Sequence, residues 1–163
     1  MLSQKMQDAF NAQIHAEYYS SYLYLAMSSW CEQSTFKGFA RWLRIQADEE
    51  RKHAFKLIDY VHERGGKVQL QALEAPPADF GTVVSLFDKV LEHELHITGR
   101  IHKLFELARA EKDLASELFL GWFVSEQVEE EATAGEIVEK LRMVGDRAGS
   151  VLYLDKEYGK RQG

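Results

Sequence analysis

The sequence predicts an all-α chain: a long four-helix bundle with one long crossover and a short fifth helix at its C-terminal end. Three observations carry this. Four segments repeat apolar residues at alternating steps of three and four, the spacing that holds one stripe on the buried face of a helix. The only two prolines are adjacent, at Pro76 and Pro77, so none of the four segments is interrupted by proline. Between the second and third segments lies a stretch from Gly65 to Gly81 whose reach, at about 3.3 Å per residue, is roughly 55 Å.

The first helix is predicted near 5–33, with the stripe Phe10, Ile14, Glu17, Ser21 and Tyr24. The second, near 38–64, carries Leu43, Ala47, Glu50, Ala54 and Leu57, and the pair Gly65-Gly66 suits its C-terminus. The third, near 82–111, carries Val84, Phe87, Leu91, Glu94, Thr98 and Ile101, and the fourth, near 114–143, carries Leu120, Phe123, Gln127, Glu130, Ala134 and Ile137. At 1.5 Å per residue each is roughly 40 Å long, the length of a tall bundle. Only a few residues join the first helix to the second and the third to the fourth, so each pair is expected to form an antiparallel hairpin. The crossover at 65–81 is long enough to run the whole length of the bundle. A fifth helix near 148–158 follows Gly145 and Asp146, and its partial apolar face of Val151, Leu152 and Leu154 does not say where it docks.

The chain of 163 residues fits a single domain over 1–163. Hydrophobic residues make up 45% and charged residues 28%, which argues against disorder, and no apolar run approaches the ~20 residues of a membrane span. The opening Met1-Leu2-Ser3-Gln4-Lys5 lacks a basic flank followed by an apolar stretch, so a cytoplasmic location is expected. Cys31 is the only cysteine, which excludes an internal disulfide and a cysteine-based metal cluster within one chain. A formal charge of −6 disfavours nucleic acid as a partner and draws cations toward the surface.

Each apolar stripe is broken near its middle by a group able to bind metal: Glu17, Glu50, Glu94, and Gln127 with Glu130. Breaks at the midpoints meet at one height whichever way each helix points. An ionised carboxylate buried without a partner is costly, and clustering several adds repulsion. The carboxylates could instead pair with Lys or Arg, but none of the four stripes contains a cation, so bound metal accounts for the pattern best. Glu50 and His53 are three residues apart, close enough on adjacent turns to reach one ion, and Gln127 and Glu130 repeat that spacing. Glu17 and Glu94 add one carboxylate each. The oxygen-rich set with a single imidazole suits iron or manganese, with room for two ions sharing carboxylates.

Glu49, Glu126 and Glu129, with Glu131 beside them, form a second acidic set, which is equally the pattern of a solvated helical face. Tyr24 lies two turns beyond Glu17 on the same face, placed either to hydrogen-bond a ligand or pass an electron, or simply to fill the core; Trp122 could act similarly from the fourth helix. His15, His62, His93, His96 and His102 have no partners at the shared height and read as surface or packing residues. Adjacent helix positions point about 100° apart, so His93 does not share the direction of Glu94. Cys31 reads as a small buried hydrophobe.

With Glu17, Glu50 and His53, Glu94, and Gln127 and Glu130 in this order, together with Tyr24 and a short fifth helix, the chain resembles prokaryotic non-haem ferritins over essentially its full length. The resemblance implies a ferroxidase centre that oxidises iron(II) with dioxygen or hydrogen peroxide. Glu17, Glu50 and His53 would hold one iron and Glu94 and Glu130 the second, with Glu50 bridging and Gln127 close by. Glu49, Glu126 and Glu129 would correspond to a third iron site. It also implies a homo-oligomeric shell of twenty-four subunits storing ferric oxide mineral. Haem is not expected: bacterioferritins carry Glu-x-x-His on both the second and fourth helices and a haem-ligating Met after the first Glu, whereas here Arg51 follows Glu50 and the fourth helix reads Gln127-x-x-Glu130. The chain also lacks the basic N-terminal tail of some DNA-protecting mini-ferritins and the Cys-rich module of rubrerythrins. Two rival readings of the same acids are a di-iron peroxidase that detoxifies peroxide and a structural bundle whose buried acids tune specificity.

Overall fold

Ser3 opens the first helix by accepting a hydrogen bond from the backbone N–H of Met6 at 3.2 Å, the side-chain cap that an N-terminus needs. The computed structural model describes residues 1–163 and contains five helices and no strand: α1 (Gln4–Gln33), α2 (Lys37–Glu63), α3 (Val83–Ala110), α4 (Leu114–Val144) and α5 (Ala148–Tyr158). Helix α2 ends in a Schellman pair, with Gly65 N–H on the His62 carbonyl at 2.9 Å and Gly66 N–H on that of Val61 at 2.8 Å. Gly65 takes the left-handed φ of 71° that this turn requires. Thr82 and Ser85 form a reciprocal capping box that starts α3 at Val83, and Asp113 caps α4 by accepting from Ser116 N–H at 3.1 Å. Gly145, at φ 58°, lets α4 stop at Val144.

Two apolar blocks fill the bundle, one above and one below its middle. One gathers the C-terminal half of α1, the N-terminal halves of α2 and α3 and the C-terminal half of α4, around Phe39, Leu43, Phe87 and Ile137. The other gathers the opposite halves, around Phe10, Leu57, Ile101 and Phe123. This grouping makes α1 antiparallel to both α2 and α3, and makes α2 and α3 parallel. A parallel pair needs a connection that returns along the whole bundle, and residues 64–82 provide it. The return path is fastened to α1 from end to end: Gln7 accepts from Lys67 N–H at 2.8 Å, Asn11 bonds Lys67 and Gln69, His15 meets the Ala72 carbonyl at 3.2 Å, and Trp30 donates to Asp79 at 3.1 Å. His15 thus belongs to the crossover's anchorage.

Helices α2 and α4 face each other with no pair of Cα atoms within 8 Å, so long side chains span the space between them. At the end of the bundle Arg64 and Asp113 form an ion pair there. At mid-height the same space holds the acids described below. No helix is long and apolar enough to cross a membrane.

Helix α5 docks on the start of α2. The first turn of α2 has no cap of its own; Asp155 supplies one by accepting from Phe39 N–H at 2.8 Å. The approach depends on Gly38, where a Cβ would lie 1.7 Å from the Asp155 carbonyl oxygen, and on Gly159, whose Cβ would lie 2.8 Å from Gly38 Cα. Leu154 is the buried residue of the α5 apolar face, Val151 is half-buried, and Leu152 is exposed.

Candidate metal centre

Between the two apolar blocks lies a polar layer made of the residues that interrupt the four stripes. Glu17, Glu50, Glu94 and Glu130 are buried together with His53 and Gln127. Their donor atoms form three overlapping triplets, Glu17–Glu50–His53, Glu50–Glu94–Glu130 and His53–Glu126–Glu130, with the atoms of each lying within 4.8 Å of one another. With bonds of roughly 2 Å, donors to one first-row ion lie up to about 4 Å apart, so small rotamer changes close each triplet. Glu50 and Glu130 each belong to two triplets, the positions from which a carboxylate can bridge neighbouring ions.

Each carboxylate is oriented by a neighbour. Tyr24 donates its phenol hydrogen to Glu94 Oε1 at 2.5 Å. Gln127 donates to Glu94 Oε2 and to the Glu94 carbonyl, both at 3.2 Å, and to Thr98 Oγ1 at 3.1 Å; three acceptors fix its amide and make it a donor to Glu94. His53 Nδ1 lies 3.2 Å from Glu50 Oε2 and 3.9 Å from Glu17 Oε2, while its Nε2 faces Glu126 at 3.7 Å. Glu17 Oε2 is buried with no hydrogen-bond partner, an acceptor aimed at the middle of the layer.

The electrostatics follow from burial among like charges. Desolvation first, then the charges of Glu94, Glu17 and Glu130, push the pKa of Glu50 well above the usual carboxylate range. Burial, and then Glu94, raise Glu130 to about 8, against hydrogen bonding from Gln46. Burial raises Glu94 to about 7, although Tyr24 and Gln127 hold it down by donating to its charged form. Tyr24 is itself pushed well above its ordinary value, by burial and then by Glu94, and so keeps the proton it donates. No Lys or Arg forms an ion pair with Glu17, Glu50, Glu94 or Glu130; His53 is their one basic neighbour.

The second acidic set, which the sequence leaves open between a solvated face and a further ion site, is only partly gathered. Glu126 joins His53 and Glu130, Glu129 is exposed and belongs to no triplet, and Glu49 is paired with Arg161 at 2.7 Å. The helical period explains this: Glu129 follows Glu126 by three positions but lies on the outer side of the face that Glu130 buries. Trp122 is partly exposed, with its ring 5.5 Å from that of His53 and Lys56 Nζ 4.3 Å above it. His93 packs outside the layer, 2.7 Å from Ser20 Oγ, and burial, followed by the charge of His96, lowers its pKa to about 4, so the ring is neutral.

Two pairs of residues that sequence reasoning missed hold the layer from outside. Gln13 donates to Glu17 at 2.8 Å and accepts from Arg100 at 3.2 Å. Gln46 donates to Glu130 at 2.8 Å and to Glu50 at 3.2 Å, and accepts from Arg161 at 3.0 Å. Each glutamine sits one helical turn before a buried glutamate, a spacing visible in the sequence.

Residues 7–144 match the family model for the ferritin-like domain. The chain belongs to the ferritin family. It is 44% identical over 161 residues to a bacterial non-heme ferritin of Bacteroides fragilis (strain 638R), covering 99% of this chain and 100% of that one. A bacterial non-heme ferritin of Staphylococcus aureus (strain MRSA252) is 37% identical, covering 99% and 97%. Among solved structures, the open pore ferritin of Archaeoglobus fulgidus superposes with a TM-score of 0.98 at 51% identity, over 99% of this chain and 100% of that one. A humanized archaeal ferritin gives a TM-score of 0.98 at 49% identity, over 99% and 98%. The helices, the long crossover and the short fifth helix are thus those of a ferritin.

Proposed function

We propose that this chain is a subunit of a cytoplasmic iron-storage ferritin that oxidises iron(II) at an intrasubunit di-iron centre and deposits ferric oxide mineral inside a hollow homo-oligomeric shell of twenty-four copies. One observation carries the reading: four carboxylates and one imidazole converge in a buried layer without a Lys or Arg ion-paired to any of the four acids. Such a layer is stabilised by protons or by multivalent cations, and the donor set is hard and oxygen-rich, as iron requires.

In this reading iron(II) is the substrate. Glu17, Glu50 and His53 receive the first ion, Glu94 and Glu130 the second, and Glu50 serves both. Each ion gives up one electron, so a pair reduces one dioxygen to the level of peroxide, or one hydrogen peroxide to water. The negative charge of the carboxylates favours the iron(III) product, and the protons displaced from Glu50, Glu94 and Glu130 leave as the ions bind. Tyr24 and Gln127 keep Glu94 aimed inward. Glu126 would receive a third ion beside His53 and Glu130, with Glu49 and Glu129 joining by rotation of their side chains.

The test is aerobic iron(II) loading followed by size separation. Iron is expected to elute as ferric mineral inside a particle of several hundred kilodaltons. The double substitution Glu50→Ala with Glu130→Ala relieves repulsion and is expected to leave the protein folded while removing the rapid phase of oxidation. An initial rate equal to that of the unsubstituted chain would overturn the site assignment.

A further inference from the structure

Beyond α5 the chain turns back along α2, and Arg161 reaches the edge of the acidic layer. Arg41 Nε donates to the Arg161 carbonyl at 3.3 Å and holds the backbone in place. The guanidinium lies 4.5 Å from the centre of the Trp42 ring and donates from Nη1 to the Trp42 carbonyl at 3.2 Å and to Gln46 Oε1 at 3.0 Å. From Nη2 it donates to Glu49 Oε2 at 2.7 Å, with the two side chains 20% and 35% exposed. Arg161 is the only Lys or Arg ion-paired with any of Glu17, Glu49, Glu50, Glu94, Glu126, Glu129 and Glu130.

The charge arithmetic is specific. Glu49 and Arg161 cancel, whereas Glu126 lies against His53 and Glu130, and the charges of Glu49 and Glu126 both act on Glu130. A divalent ion held by Glu126 and Glu130 gains Glu49 as a further carboxylate, with its full charge, only if Glu49 turns away from Arg161. A partly exposed ion pair is weak, and its cation remains tethered to the Trp42 carbonyl and ring when the carboxylate leaves. Resting on the reading of this layer as an iron site, we propose that Arg161 is a displaceable counter-cation: it occupies Glu49 until a third divalent ion takes that carboxylate, and thereby sets how readily the outer position fills. Arg161 is a positioning residue acting through Glu49.

The experiment is anaerobic titration of the full-length, assembled protein with cobalt(II), following bound ions by equilibrium dialysis and by visible absorption. Arg161→Gln is expected to tighten the third ion about fivefold, the worth of one partly exposed ion pair, while the loss of its hold on Gln46 shows separately as weaker binding of the first two ions. Glu49→Gln is expected to weaken the third ion, and Arg161→Gln combined with Glu49→Gln to match Glu49→Gln alone. Arg161→Lys, which keeps the charge, is expected to restore the original affinity; a purely structural tail contact would not show this rescue or this dependence on Glu49. A third-ion affinity in Arg161→Gln within about twofold of the original, or a gain that survives the Glu49 substitution, overturns the proposal while leaving the di-iron centre standing. An unsubstituted chain that fails to bind its first two ions overturns the iron reading, and the role of Arg161 with it.

Discussion

Gln13 donates its amide N–H to Glu17 Oε1 at 2.8 Å from one helical turn earlier. Arg100 bonds the other end of that amide, and Arg161 does the same for Gln46, which serves Glu50 and Glu130. An arginine on the carbonyl of each glutamine dictates that its N–H groups face the acids. Both guanidinium charges therefore stop one amide short of the buried carboxylates, which are steered by hydrogen bonds without being neutralised.

Gln13→Leu keeps approximate volume and removes that steering. Loss of a group that orients a ligand typically costs ten- to a hundredfold in metal affinity. The first cobalt(II) ion is expected to bind about tenfold more weakly by anaerobic calorimetry. Equal affinity would show that Glu17 needs no help from Gln13.

Tyr24→Phe deletes the donor to Glu94 Oε1. That hydrogen bond lowers the Glu94 pKa, so its loss raises the pKa further above about 7. Ion binding requires the proton to leave, and the pH midpoint for cobalt(II) binding is expected to move upward. An unmoved midpoint would assign Tyr24 to packing alone.

Burial holds Glu94 at about 7 and Glu130 at about 8, both above the ordinary carboxyl value of 4.5. Between about pH 4.5 and 8 the folded chain carries more protons than the unfolded chain, so folding stability falls as pH rises through this window. Thermal unfolding with a strong chelator present is expected to show Tm declining from about pH 5 to 8, then levelling. Saturating cobalt(II) is expected to flatten or reverse the decline, because the cation takes the place of the protons. A Tm that rises with pH in chelator would contradict the burial of these acids.

Gly38→Ala would place a methyl carbon 1.7 Å from the Asp155 carbonyl oxygen and force α5 away from α2. Asp155→Ala removes only the cap on Phe39, worth about 1 kcal/mol. The expected order of destabilisation is therefore Gly38→Ala beyond Asp155→Ala, with Gly38→Ala also exposing the segment after Gly145 to limited proteolysis.

The bundle was legible because its signals are local. Stripes of period 3.6 locate the helices, and the length of the crossover admits parallel α2 and α3. Glu17, Glu50, Glu94 and Glu130 announce themselves as acids where Leu and Phe should stand. Gln13 and Gln46 follow the same helical rule, one turn before Glu17 and Glu50, but a glutamine costs less to bury than a carboxylate and draws less notice. Arg161 was not legible. Its place depends on where α5 docks, which rests on the near-contact of Gly38 and Gly159 and on Asp155 capping a helix begun more than a hundred residues earlier. The outer acids are legible only in part for a related reason: the surroundings of Glu49 and Glu126 are set by partners on other elements, Arg161 for the first and His53 for the second.

The division of the interior into an upper and a lower apolar block bears on cooperativity. Residues such as Phe39 and Phe87 in one block and Phe10 and Phe123 in the other do not belong to one continuous hydrophobic cluster, and what separates them is a polar layer of acids that burial keeps partly protonated. A pair of ions that draws Glu17, Glu50, Glu94 and Glu130 inward also ties all four long helices together at their waists, so the cargo acts as a rivet and the loaded subunit is expected to open as a single unit.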